Sequence, residues 1–183
     1  LTNQEIRNSL YRSISSKFND FLKELAAYPS FVKTVNITDQ RVKQLYLEEL
    51  VLRFITLYSA TGKIAKGIAI YMTEFMKEAV LDSSFNYEQK RLIFKKTFDI
   101  LSILGKGIFT SKNNEFSTAI YDTTTIGVAK HLNLYGNIKP CDLKAKIDSI
   151  KKDEIYQKMV RSGGNNSVQR VEKRLQYANQ IFG

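Results

Sequence analysis

The sequence predicts an all-α domain, an irregular bundle of about eight or nine helices, on three observations. Apolar residues recur at helical spacing through most of its length. Chain breakers are scarce: 183 residues include nine glycines and two prolines, Pro29 and Pro140, too few for a many-turned sheet. Side chains with helix-capping chemistry stand directly before several of the apolar runs. The composition, 43% hydrophobic and 25% charged with 11 Phe and 10 Tyr, is that of a globular chain and not a disordered one. A single domain accommodates this length. Such a chain buries about 70% of its unfolded surface, enough to fold without disulfide or metal.

Thr2 and Glu5 have capping-box spacing and open a first helix, whose Ile6, Leu10 and Ile14 form a face it is expected to bury. A second helix, about Lys17 to Tyr28, presents Phe18, Phe21, Leu22 and Leu25 on one side and is broken by Pro29 and Ser30. Thr38 or Asp39 caps a long third helix through about Tyr58. Its Val42, Leu45, Tyr46, Val51, Leu52, Ile55 and Leu57 make so wide an apolar surface that it is expected at the centre.

After the Thr61-Gly62 stop, a fourth helix covers about Lys63 to Leu81. Asn86 and Gln89 repeat the capping-box spacing and open a fifth, to about Leu104, which Gly105 and Gly107 end. Ile108-Phe109-Thr110 has strand character but is too short for a sheet. Ser117 caps a sixth helix to about Leu132, and 133–139 reads as loop. Pro140 and Asp142 start a seventh helix, and Lys152 to Val160 forms an eighth. After the Ser162-Gly163-Gly164-Asn165-Asn166 loop, a last helix runs from Ser167 to Phe182.

Composition excludes several chemistries. One cysteine, Cys141, permits no internal disulfide and no cysteine-based metal site; one histidine, His131, permits no His-rich metal centre and no paired-His mechanism. No metal or cofactor is expected in this chain. Residues 1–5 lack the basic start and apolar run of a signal peptide. The most apolar stretch, Ile64 to Leu81, is interrupted by Lys66, Glu74 and Lys77 and does not span a bilayer. A cytoplasmic protein with no membrane partner is the expectation.

The charge is +10 and uneven: residues 130–183 hold 11 basic residues against 5 acidic ones. Such an excess concentrates polyanions near the surface, so nucleic acid is the first partner to consider. The Gly-Gly turn at Gly163 and Gly164 feeds a helix N-terminus, where backbone N–H groups favour phosphate. Arg170, Lys173 and Arg174 follow with i,i+3 and i,i+4 spacing and are expected on one exposed face. Lys158 and Arg161 precede the turn. These seven residues form the candidate nucleic-acid site. No Walker A pattern is present, because no lysine follows the paired glycines.

Other residues suggest structure before chemistry. Glu48 and Glu49 point about 100° apart on a helix and do not converge as a catalytic pair; Glu49 is placed to pair with Arg53. His131, near a helix C-terminus, is expected to be stabilised by the dipole or solvated. Cys141 lacks basic neighbours and is expected to be inert. No catalytic residue is assigned.

Leu1-Thr2-Asn3-Gln4-Glu5-Ile6-Arg7-Asn8, followed by Phe18-Asn19-Asp20-Phe21-Leu22-Lys23-Glu24-Leu25, resembles a segment of GmrS-like proteins. These are DNA restriction and antiphage components with a ParB-like (sulfiredoxin-like) N-terminal domain. Glu49-Leu50-Val51-Leu52-Arg53-Phe54, then Glu115 to Asp122, then Arg170-Val171-Glu172-Lys173-Arg174 agree in order, so the resemblance spans nearly the whole chain. In that family nucleotide hydrolysis, with or without DNA cleavage, is attributed to an Asp-Gly-Gln-Gln-Arg motif in the N-terminal domain. The motif does not occur here. The resemblance therefore implies that residues 1–183 are one helical domain, the C-terminal half of a longer protein whose catalytic ParB-like domain is its partner. It also places the first helix between the two halves, so Arg7 and Asn8 become candidates for a contact between domains. Two functions stay open: a module that binds nucleic acid and braces the catalytic half, or an oligomerisation and docking module that touches no nucleic acid.

Overall fold

The computed structural model describes residues 2–12, 14–39, 45–61, 64, 66–111, 113–160 and 166–183, with backbone alone at 161. They form eleven helices: α1 (Asn3–Arg12), α2 (Ser16–Ala26), α3 (Pro29–Thr34), α4 (Tyr46–Ser59), α5 (Ile68–Leu81), α6 (Tyr87–Ser102), α7 (Thr118–Lys130), α8 (Leu132–Tyr135), α9 (Pro140–Lys152), α10 (Glu154–Arg161) and α11 (Val168–Phe182). The all-α prediction holds. The 108–110 segment contributes only an isolated antiparallel bridge, Thr110 to Phe116. Two short helices, α3 and α8, stand where the sequence predicts a break and a loop. Pro29 ends nothing more than α2: at the first position of α3 its missing N–H is harmless and its fixed φ suits the turn. Residues 132–135 close one further turn, α8, inside the predicted loop.

The predicted caps are present where both partners are local. Thr2 N donates to Glu5 Oε2 at 2.6 Å and Glu5 N to Thr2 Oγ1 at 3.2 Å, a reciprocal capping box. Asn86 Oδ1 accepts from Gln89 N at 2.9 Å, and Ser117 Oγ from Ile120 N at 3.4 Å. Gly105 and Gly107 take φ of 72° and 85° after α6, the left-handed region where a Cβ is penalised. The predicted Thr38 or Asp39 cap leads into residues 40–44, which lie outside the described residues.

Leu52 on α4, the helix expected at the centre, and Phe98 on α6 are fully buried. The innermost helix, though, is α7, in which every residue from Ala119 to Ala129 is buried. It packs against α4, α6 and α11. Burial on all sides explains its sequence, Thr-Ala-Ile-Tyr-Asp-Thr-Thr-Thr-Ile-Gly-Val-Ala: small or apolar all round, with one charge. Between α3, α4 and α6 the core is aromatic. Phe94 and Phe98 centroids lie 4.5 Å apart, Phe31 and Phe98 4.8 Å, and Phe54 and Phe94 5.3 Å. At the other end of α7, Tyr135 OH donates to Phe182 O at 2.9 Å and Lys146 Nζ to Ile181 O at 2.8 Å. These bonds satisfy terminal carbonyls of α11 that have no partner in their own helix.

The helix α1 reverses the expected polarity. It buries Gln4 and Arg7, while Ile6, Leu10 and, just past the helix end, Ile14 are 42%, 57% and 55% exposed. Hydrogen bonds account for the inversion. Arg7 Nε donates to Thr73 Oγ1 on α5 at 3.0 Å and Nη1 to Gln4 Oε1 at 2.9 Å. Gln4 Nε2 donates to Asn8 Oδ1 at 2.9 Å, and Asn8 Nδ2 to Glu48 Oε2 on α4 at 2.7 Å. Burial lowers the Arg7 pKa, and Glu49 and Tyr11 oppose that.

Candidate functional site

The α10 and α11 helices form an antiparallel hairpin. Near its closed end Arg170 Nη1 reaches Met159 O at 3.4 Å. At its far end Asp153 accepts from Tyr156 N at 2.9 Å and from Tyr177 OH at 2.8 Å. Between these ties the rings of Tyr156 and Tyr177 meet at 5.1 Å. Lys158 and Lys173 are exposed on this hairpin and Arg170 is partly buried. The side chain of Arg161 and residues Gly163 and Gly164 lie outside the described residues.

Arg174 is not on that face. It has no exposed surface: a helix turns about 100° per residue, and this position falls on the seam of α11 against α7. Its Nη2 lies 3.0 Å from Asp122 Oδ2. Asp122 also receives both arms of Arg53, Nε at 2.5 Å and Nη2 at 2.7 Å, in a forked pair. The expected Glu49–Arg53 pair therefore gives way to Arg53–Asp122, 69 residues apart in sequence. Burial lowers the Arg53 pKa, but Asp122 at this distance raises it further, so the net direction is up. Two guanidiniums on one carboxylate leave a buried cluster that joins α4, α7 and α11.

The same cluster organises the chain around it. Arg53 Nη2 contacts Asn166 Oδ1 at 3.3 Å. Asn166 O accepts from Ile68 N at 3.2 Å, at the start of α5, and Glu172 Oε1 accepts from Ile64 N at 2.9 Å. The N-termini of α5 and α11 are thereby bound to one another. Around Asp122, Tyr121 OH donates to Leu50 O at 3.0 Å, and the hydroxyls of Thr123 and Tyr156 lie 3.1 Å apart. Burial pushes both phenol pKa values up, so both stay neutral.

Asp122 is absent from the sequence-based candidates, yet it is the one charged residue between Phe116 and Ala129, and a carboxylate in such a helix requires a partner. Arg7 and Asn8 point into this chain and not outward, as described above. Glu48 is buried and accepts from Asn8, so it does not converge with Glu49 on any substrate. His131 Nδ1 sits 3.0 Å from Gly127 O, and Cys141 is exposed. A groove of about 640 Å³ lies between α2 and α6 over Phe21 and Tyr87. The chain's own cations cover these rings, Lys17 at 4.5 Å from the Tyr87 centroid and Arg91 at 5.5 Å from that of Phe21.

Among the described residues, no three of the His, Cys, Asp and Glu side chains converge as metal ligands. No described helix is long and apolar enough to cross a membrane. No family model, curated protein or solved structure matches the chain.

Proposed function

We propose that this chain binds nucleic acid through phosphate contacts on the α10–α11 hairpin, as the helical, non-catalytic part of a GmrS-like restriction or antiphage protein. The observation that carries the reading is the placement of Lys158, Arg170 and Lys173 on two antiparallel helices within the most basic third of the chain. Lysines on long stems neutralise phosphates without reading bases, so the contact positions a duplex and does not specify its sequence. Arg174 serves this surface from beneath, by fixing α11 to Asp122.

In this reading the catalytic ParB-like domain meets α1. The contact belongs to the exposed Ile6, Leu10 and Ile14, because Arg7 and Asn8 are committed to α4 and α5. The same exposed face favours a second reading, a docking or oligomerisation module that never touches nucleic acid.

Fluorescence anisotropy of a labelled duplex at several salt concentrations separates the two. Log affinity is expected to fall linearly with log salt, by about 0.9 per neutralised phosphate. The triple variant Lys158→Gln, Arg170→Gln, Lys173→Gln should flatten that slope by about two to three. Absence of binding at low salt would reject the nucleic-acid reading in favour of docking.

A further inference from the structure

A second basic feature stands on other elements. The left-handed glycines Gly105 and Gly107 fold the chain back after α6, and a cleft of about 100 Å³ separates this turn from α9. Its walls carry Lys106, Lys144, Lys151 and Asp148, and its floor includes Leu104 and Ile147. Three lysines and one aspartate thus line the cleft. Lys144 and Asp148 pair at 2.5 Å but are 66% and 36% exposed, so solvent screens the pair. Lys151 Nζ lies 3.5 Å from Gly107 O. That oxygen already accepts from Thr110 Oγ1 at 2.6 Å and Thr110 N at 3.1 Å, so the ammonium keeps donors for another partner. Burial lowers the Lys151 pKa; Asp148 opposes this and Lys144 adds to it. An anion in the cleft would offset both effects by favouring the charged ammonium.

We propose that this cleft is a binding site for a single phosphate group. The cleft is small, about 100 Å³, a size that suits a tetrahedral oxyanion. The excess of two positive charges beside an apolar floor suits a phosphate, and Lys151, the least exposed of the three lysines, meets it with the least screening by solvent. The site shares no residue with the hairpin, and a phosphomonoester or the phosphodiester of a nucleic acid would present the same group to it.

The test is a titration followed by the amide resonances of Gly105, Lys106, Gly107 and Ile108 in proton–nitrogen spectra. The probes are inorganic phosphate, at ionic strength held constant with chloride, and separately a short DNA duplex. Phosphate should move these amides saturably. Lys151→Met should weaken that response about tenfold, the loss expected of one charged hydrogen bond. The exposed Lys106→Gln, which does not threaten the fold, should weaken it in the same direction. Movement by duplex alone, reduced in Lys106→Gln, supports the site with a polymer as its source. Silence of the amides toward both probes overturns the proposal, as does a response in both variants equal to that of the unaltered protein. If the hairpin triple variant binds duplex unchanged while the cleft still responds, the hairpin reading alone fails.

Discussion

Asp122 on α7 and Arg174 on α11 lie 3.0 Å apart with no solvent-exposed surface on either side chain. Arg53 completes the cluster from α4, so a single carboxylate is the meeting point of three helices. Such a group contributes through what its loss leaves behind. Asp122→Ala would strand two guanidiniums in the interior and should cost about 3–5 kcal/mol. By contrast, Lys173→Gln, one residue from Arg174 but exposed, should change stability by less than about 0.5 kcal/mol. Urea unfolding midpoints compare the two directly, and similar small effects would contradict the buried cluster. Any loss of binding in an Arg174 variant should accordingly track its unfolding.

A second contact on α7 is steric. A Cβ built at Gly127 would lie 2.2 Å from Phe182 Cδ2, so only glycine lets the end of α11 approach. Gly127→Ala should destabilise by about 1–3 kcal/mol through overpacking, despite the better helix propensity of alanine. Adding Phe182→Leu should return part of the loss, because the clash is with the ring. A calorimetric Tm for Gly127→Ala at or above that of the unaltered protein would be the contrary result.

The aromatic and aliphatic centre between α4 and α6 gives a third expectation. Leu52→Ala and Phe98→Ala each remove a side chain with no exposed surface and should cost about 2–5 kcal/mol by cavity formation. The cost is read from chemical denaturation, and two unchanged curves would place the core elsewhere.

Asp153 gives stability a pH dependence. The N–H of Tyr156 and then the hydroxyl of Tyr177 hold its pKa below the usual carboxylate value. A folded-state pKa below the unfolded one means that the unfolded chain takes up the proton more readily. The contribution of Asp153 is therefore complete above the unfolded value, about 3.9, and lost as pH falls through the folded one. Asp153→Asn keeps a capping side chain but cannot ionise. The difference in Tm between the protein and this variant should shrink on acidification below about pH 4. A difference independent of pH would mean that the carboxylate charge has no part in this cap.

What could be read from the sequence was local. The caps at Thr2, Asn86 and Ser117 join residues three apart, and the glycines after α6 act on their own φ, so each is visible in a short window. The exposure of Lys158 and Lys173 was equally legible. Arg174 was not, because its partner Asp122 is 52 residues away and helical spacing alone cannot say which side of α11 faces α7. For the same reason Arg53 seemed assigned to Glu49, one turn away, when Asp122 offered a forked acceptor. On α1 the pattern misled outright: Ile6 and Leu10 have the spacing of a core face, yet Arg7 finds three acceptors inside, at Gln4, Thr73 and Ala69.

The attachment of α1 by hydrogen bonds also sets how it responds to temperature. Apolar burial near room temperature is driven by entropy and weakens on cooling, as it will for the phenylalanine-rich centre. The Arg7 and Asn8 bonds are directional and enthalpic, so cooling favours them and warming loosens them early. In the cold, α1 should be the last segment to let go; in heat it should be the first. Amide exchange along Gln4 to Tyr11 would then accelerate well below the melting point, and the released segment would carry an oily stripe away from a charged, water-accepting scar at Glu48.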